Sequence, residues 1–507
     1  MSKLSQGLLK IFRILFGLTV GFLFISSLFV TATHEVFENG GKQEFAHVTQ
    51  ANFLISIVML VCGIVFLFLF NKLLKNHKDI NVDRLTVIVS FISLIISIIY
   101  INTVHTVPAA DQEFCVKAAS EINAGNFHAF EKGNYLSNYP HLLGFVALER
   151  LLFKIFGDGN FASVRYLNAL MVPLIVFFGS KITGILSDED KRARVFFLFF
   201  SLTCLPIIGY TLYVYGDMLG IGLSVVSIYM FLKAVNTGKV GYYIGLAVSI
   251  LLMIPMRKML IVVPIAMLVV TVLRLIRKFE VKEIIISALI IISLVASLFY
   301  PKLFYLPEKP AENASVPTAA TIDMGFNVNG DYYGWYNYYE LDILYANDCD
   351  EEFTRQQAFE EIKTIHIPNL IKHHKFAANF YFNKINSQWQ SPMFQAIVSN
   401  DNLYGLQNEV TMSIFFGKLG AIFDTYMKAY QILFYLCMAL YILFFVKKEE
   451  PIENYVIPIA MFGGFLVQLL WEAKARYCFP YFVLLLPIFA VSAKKVADSI
   501  KVKLKIN

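Results

Sequence analysis

The sequence predicts an all-α polytopic membrane protein, and three observations carry that prediction. The chain of 507 residues is 57% hydrophobic and 16% charged, with a mean hydropathy of +0.61, which is more apolar than a soluble domain sustains. Apolar runs recur at the ~20-residue length that crosses a bilayer. Lys and Arg gather in the short connections between these runs, so the net charge of +6 reads as a membrane-orientation signal and not as a nucleic-acid footprint.

In order, the runs fall at 11–31, 52–71, 85–103, 163–183, 195–213, 217–235, 240–256, 258–275, 283–301, 427–446, 453–471 and 477–493, about twelve spans. The first follows Lys3, Lys10 and Arg13, but it is longer than a signal-peptide core and lacks a small-residue cleavage site, so a retained helix is expected. The run at 140–157 carries Glu149, Arg150 and Lys154, and charges of that kind make spanning costly. Charge counting places it as an amphipathic helix on the external surface. With that placement 24 Lys and Arg lie in cytoplasmic segments against nine in short external loops, whereas a spanning run would turn 17 of the 24 outward. Both termini are then cytoplasmic.

This divides the chain into an accessory helix pair at 1–80, a transmembrane core at 81–301 with its first external loop at 104–162, an external loop domain at 302–426, and C-terminal transmembrane helices at 427–507. Only 302–426 has soluble-like composition. Its Pro, Asn, Asp and Gly density predicts irregular chain over 307–334, and 351–365 and 367–382 read as amphipathic helices. Of six cysteines, Cys115 and Cys349 fall in external loops where a bridge fits, although the pattern demands no disulfide framework and free thiols are the expectation. No Gly-x-Gly-x-x-Gly or Walker loop is present.

The topology collects charge at one face: Asp111 and Glu113 after the third span, Asp217 in Tyr215-Gly216-Asp217, Arg257-Lys258, and Glu472, Lys474 and Arg476 before Tyr477. Ionisable groups near a bilayer are costly and therefore functional candidates. Cations there can hold a phosphate through charge-assisted bonds, and a carboxylate can take a proton from a hydroxyl.

Asp111 after a transmembrane helix, Tyr139-Pro140 opening the amphipathic run that ends in Ile155-Phe156-Gly157, Ser163-Val164-Arg165-Tyr166-Leu167-Asn168, Tyr215-Gly216-Asp217, and Arg476-Tyr477 with Pro480 together resemble the glycosyltransferase C superfamily. The likeness is to its protein O-mannosyltransferase and aminoarabinose transferase branch. The resemblance implies a polyprenyl-phosphate sugar donor and inverting transfer to a hydroxyl of an envelope glycan, lipid or protein on the external face of the cell membrane, in a bacterial setting. It implies Asp111 as general base and Asp217 as a residue orienting acceptor or catalytic groups. Where many members have Asp-Glu side by side, Gln112 separates Asp111 from Glu113 here. Arg476, Arg257 and Lys258 are the candidate donor-phosphate ligands; Glu113, Tyr139, His141, Trp335, Tyr336 and Tyr477 are candidate substrate contacts. No cofactor is required, and a divalent cation is compatible with the chemistry; no metal-ligand motif is present.

Structural alternatives stand beside these. Asp217 equally suits a helix N-cap, Arg257 and Lys258 suit snorkelling to headgroups, and Glu472 with Lys474 suits an interfacial salt bridge. The aromatics at 332–339 suit either a sugar platform or an interfacial belt. His366, His373 and His374 lack metal-ligand spacing and read as surface residues. Two rival functions remain: a lipid-linked-saccharide flippase or transporter, expected to show charged or broken mid-membrane segments in paired halves, and an envelope polysaccharide polymerase.

Overall fold

The computed structural model describes residues 2–36, 42–77, 79–305, 313–398, 408–446 and 450–504. Part of the irregular stretch expected over 307–334, and the cations Lys78, Lys447, Lys448 and Lys505 expected on the cytoplasmic side, lie outside them.

The chain opens with α1 (Ser2–Phe29), a hairpin of β1 (Val30–Val36) and β2 (Lys42–Gln50), then α2 (Phe53–Asn76) and α3 (Val82–Thr103). The short helices α4 (Asp111–Asn123) and α5 (Tyr135–Asn138) and the amphipathic α6 (Leu143–Phe156) follow, ahead of α7 (Ala162–Leu186), α8 (Lys191–Thr203) and α9 (Leu205–Gly209). Next come α10 (Asp217–Thr237), α11 (Val240–Met256), α12 (Val262–Arg277) and α13 (Val281–Leu303). The loop domain contains α14 (Thr318–Met324), the ribbon β3 (Val328–Asn329) and β4 (Tyr332–Tyr333), α15 (Tyr339–Ala346), α16 (Glu351–Glu361), α17 (Ile367–Lys372), α18 (His374–Trp389) and α19 (Glu409–Phe415). The chain closes with α20 (Lys418–Leu440), α21 (Val456–Leu470) and α22 (Ala475–Leu504).

Ten helices among the described residues are long and apolar enough to cross a membrane; α8 and α9 form a pair bent by 51° that adds an eleventh, and α11 is a shorter apolar helix. These correspond to the twelve expected runs. The protein is a predominantly helical, multi-pass integral membrane protein. Its centre is α22, whose apolar window is 94% buried; α7, α8, α20 and α21 pack around it. A helix apolar on every side belongs in such a position. The peripheral α2 leaves Leu54, Ile55, Val58, Val61 and Val65 exposed, as a lipid-facing surface does.

Helix α6 is 14 residues long, too short to cross a bilayer at 1.5 Å per residue. Its Glu149 is fully buried rather than on the helix surface, and neither carboxyl oxygen has a hydrogen-bond partner among the described residues. Burial pushes that carboxyl well above its usual range. All six cysteines are free thiols. The two amphipathic helices expected in the loop domain appear as α16 to α18, joined by a π-helical turn at Ile362–His366.

The strands are what periodicity missed. β1 and β2 pair in antiparallel register from Val30↔Gln50 to Val36↔Lys42 and rise from the ends of α1 and α2 against the loop domain. Their Ala32 and Ala46 bury with Trp335 and Ala473. Trp335, expected as a substrate contact, is buried there, donating its Nε1–H to Ser387 Oγ at 3.1 Å; it anchors the loop to the membrane core.

Candidate functional site

Asp111 is the first residue of α4, and Ala110 before it takes a left-handed φ of 48°. A β-carbon makes that conformation costly, so tertiary contacts must hold it. One such contact is Gln112, the residue that separates the acidic pair: it is buried, and its Oε1 accepts from Val214 N at 2.8 Å. The segment carrying Val214 is braced in turn by the Ser163–Asn168 motif. Arg165 Nε donates to Leu212 O at 3.0 Å and its Nη2 to Thr106 Oγ1 at 3.0 Å, while Asn168 Nδ2 donates to Tyr213 O at 2.8 Å. Anchoring is the role of Arg165.

The Asp111 carboxylate receives two donors. Arg476 Nη2 lies 3.2 Å from Oδ2, and Tyr135 OH lies 3.1 Å from Oδ1. Arg476 also donates to Tyr213 OH. Arg476 is 3% exposed while the Asp111 side chain remains 37% exposed, so the carboxylate keeps a face for a ligand. Desolvation acts to raise the Asp111 pKa, but the Lys474 and Arg476 charges and the two hydrogen bonds outweigh it and hold the carboxyl below its ordinary value.

Gly216 explains the Tyr-Gly-Asp motif: a β-carbon there would sit 1.8 Å from Met256 O. Only glycine lets the start of α10 approach the end of α11 so closely. The approach brings Asp217, 1% exposed, within 3.1 Å of Arg257 Nε, 8% exposed. Arg257 lies 5.3 Å and 5.0 Å over the rings of Tyr215 and Tyr477, and Arg476 lies 5.5 Å and 5.4 Å over the same two rings. Two guanidinium groups therefore flank one tyrosine pair. Arg257 Nη2 and Arg476 Nε are buried and have no hydrogen-bond partner among the described residues. Unsatisfied buried cationic donors are expensive, and an anion placed between them would satisfy both.

The turn between α21 and α22 carries the remaining charge. Tyr477 OH donates to Glu472, while Lys474 Nζ lies 3.9 Å from Glu472 and 5.4 Å from the Tyr336 ring centroid. Two structures clamp this turn. The loop domain does so through Ala473 N donating to Gly334 O at 2.6 Å. The N-terminal hairpin does so through Gln395, whose Nε2 donates to Glu44 O at 2.9 Å and whose Oε1 accepts from Arg476 N at 2.9 Å. Gln395 holds a left-handed φ of 65° to bridge them. The Glu44 side chain also lies 3.4 Å from Lys474 Nζ. Burial opposes the Lys474 charge, but the Glu44 and Glu472 carboxylates keep its pKa well above the ordinary value.

Glu44 had no signal in the sequence. It sits in a short polar connection some 430 residues from its partner, and hydropathy says nothing about pairings at that separation. Because Glu44 is 38% exposed, solvent screens the pair. A double-mutant cycle of Glu44→Gln with Lys474→Gln on thermal stability is expected to give a coupling of about 1 kcal/mol. Zero coupling would remove the pair.

The other expected residues divide. Tyr139 OH donates to Glu340 Oε1 at 3.0 Å, with Thr321 Oγ1 on the other oxygen at 2.6 Å, so the loop at 104–162 and the loop domain meet at a carboxylate the sequence did not single out. Burial and the Glu472 charge push Glu340 upward. His141 is exposed to solvent, and partial desolvation together with the Lys258 and Arg257 charges lowers its pKa. Glu113 and Lys258 are exposed, which separates Lys258 from the buried arginine pair. His366 is not a plain surface residue: its Nε2 lies 2.7 Å from the fully buried Asp323. No group of three or more His, Cys, Asp or Glu among the described residues is placed to hold a metal ion.

No curated protein matches the sequence. Among solved structures, the chain is similar to ArnT from Cupriavidus metallidurans bound to undecaprenyl phosphate, with 14% identity over 80% of this chain and 77% of that one. The TM-score is 0.30, too low to carry an argument, and the site stands on its own geometry. The family model described as conserved hypothetical integral membrane protein matches residues 1–332, from α1 through the hairpin to β4, and the chain belongs to that family.

Proposed function

We propose that the protein is a membrane glycosyltransferase that moves a sugar from a polyprenyl-phosphate donor to a hydroxyl of an envelope glycan, lipid or protein, at the external face of the cell membrane. The observation that carries this reading is the convergence of one ligand-facing carboxylate, Asp111, with two buried guanidiniums that have donors to spare.

The donor phosphate lies between Arg257 and Arg476 and completes their hydrogen bonds, and the tyrosine pair keeps both planes in place. Asp111 accepts the proton of the acceptor hydroxyl, whose oxygen bonds to the anomeric carbon from the side opposite the phosphate. The bond from that carbon to the phosphate oxygen breaks, and its electron pair leaves on the polyprenyl phosphate, where the two arginines stabilise the charge. With no donor bound, the ion pair to Arg476 makes Asp111 a weak base. A phosphate that shares Arg476 relieves that hold, so the base strengthens only when there is a sugar to transfer. The loop domain, fixed by Tyr139–Glu340 and Gly334–Ala473, limits access of water to the donor.

The test is reconstitution of the purified protein in vesicles with a panel of polyprenyl-phosphate sugars and a hydroxyl acceptor, followed by release of polyprenyl phosphate. Turnover of at least one donor, dependent on acceptor, is expected. A chain that binds these lipids and only moves them across the vesicle would show the transporter reading to be correct instead.

A further inference from the structure

A second site lies at the other end of the bundle. Asp498 in α22 is 22 residues beyond Arg476, about 33 Å along the helix. Beside it is a cavity of about 500 Å³ between the end of α2, the start of α3 and the start of α8, lined by Leu74, Lys75, His77, Ile80, Asp190, Lys191, Arg192 and Val195. That volume falls in the range of small-molecule and cofactor sites.

The lining is organised for an anion. Asp498 fixes Lys75 at 2.8 Å, Arg192 at 3.0 Å and Lys494 at 3.0 Å, with Asn71 Nδ2 donating to it at 2.9 Å. Asp190 takes Lys494 at 2.6 Å and accepts from the backbone N–H groups of Arg192 and Ala193 at the start of α8. Lys75, Lys191, Arg192 and Lys494 thus face two carboxylates, an excess of two positive charges. Lys191 is exposed and has no ion-pair partner among the described residues. Three of the cations are positioned and one is unengaged. Leu74, Ile80 and Val195 add an apolar wall, which a free phosphate does not need and the glycerol and first methylenes of a lipid do.

We propose that this cavity binds the phosphate of an anionic phospholipid headgroup, with Lys191 and Arg192 on the phosphate and the lipid's glycerol end against Leu74, Ile80 and Val195. Each Lys or Arg near such a headgroup contributes enough to change affinity about fivefold.

The full-length protein in nanodiscs of phosphatidylcholine, titrated with phosphatidylglycerol and read by native mass spectrometry and thermal stability, tests it. Wild type is expected to retain phosphatidylglycerol and to unfold at higher temperature with it. Lys191→Gln should weaken retention about fivefold, Lys191→Arg should restore it, and Lys72→Gln, exposed on α2 outside the cavity, should match wild type. Inorganic phosphate in phosphatidylcholine nanodiscs should not reproduce the shift. Equal retention by Lys191→Gln and wild type would overturn the site, and protection by inorganic phosphate alone would make it a soluble-anion site. Neither readout depends on sugar transfer.

Discussion

Replacing Asp111 by asparagine is expected to lower the rate of sugar transfer about 10²–10⁴-fold while donor affinity holds. Asparagine keeps the shape of the side chain and an oxygen for Arg476 or Tyr135, but it cannot carry away the acceptor's proton. The loss should therefore appear in kcat and not in donor Kd. Turnover within a few fold of wild type would show that another group is the base. The pH profile adds a second readout. Because Asp111 is held below the ordinary carboxylate range, kcat/KM for the free protein should not fall on its account between about pH 7 and 5. The stability that its pairing contributes is present above its unfolded pKa and is lost only as pH drops through the lower folded value. A decline nearer neutrality would instead report Glu340 and Glu472, both of which are pushed upward by burial and by neighbouring negative charge.

The second large effect falls on stability. Asp217→Asn leaves Arg257 as a buried cation without a carboxylate and should destabilise the protein by about 3–5 kcal/mol, measured by unfolding in detergent. Adding Arg257→Gln removes the stranded charge, so the double variant should recover much of that loss yet lose donor binding. A single variant as stable as wild type, or a double variant no better than the single, would mean that Asp217 does not serve the arginine. The structure replaces the N-cap role considered for Asp217 from sequence with an ion pair. The side chain is inside, 3.1 Å from Arg257, and not at the N-cap position, which Gly216 occupies.

The distribution of what was legible follows from range. Spans are local: burial in lipid needs a run of apolar residues, and hydropathy reads it directly. That Asp111 and Arg476 share one face, though not that they pair, was legible because connection lengths and the charge asymmetry of loops constrain which ends of helices meet. The hairpin was not, because β1 is short and its polar partner strand has no clean alternation; the two strands are ordered by Trp335, Ala473 and Gln390 from distant parts of the chain. Residues 1–80, expected as an accessory pair, reach the candidate site through Glu44 and Gln395.

By itself, then, the sequence determined an all-helical membrane protein with acidic and basic residues gathered at the ends of its spans, because solvation by lipid acts on each segment separately. Tertiary structure alone decided which charges pair. It set Asp217 on Arg257, Asp111 on Arg476 and Glu44 on Lys474, and it buried Trp335 and Glu149. Pairing is settled by distances of a few ångströms between segments hundreds of residues apart, and no local property of the chain encodes that.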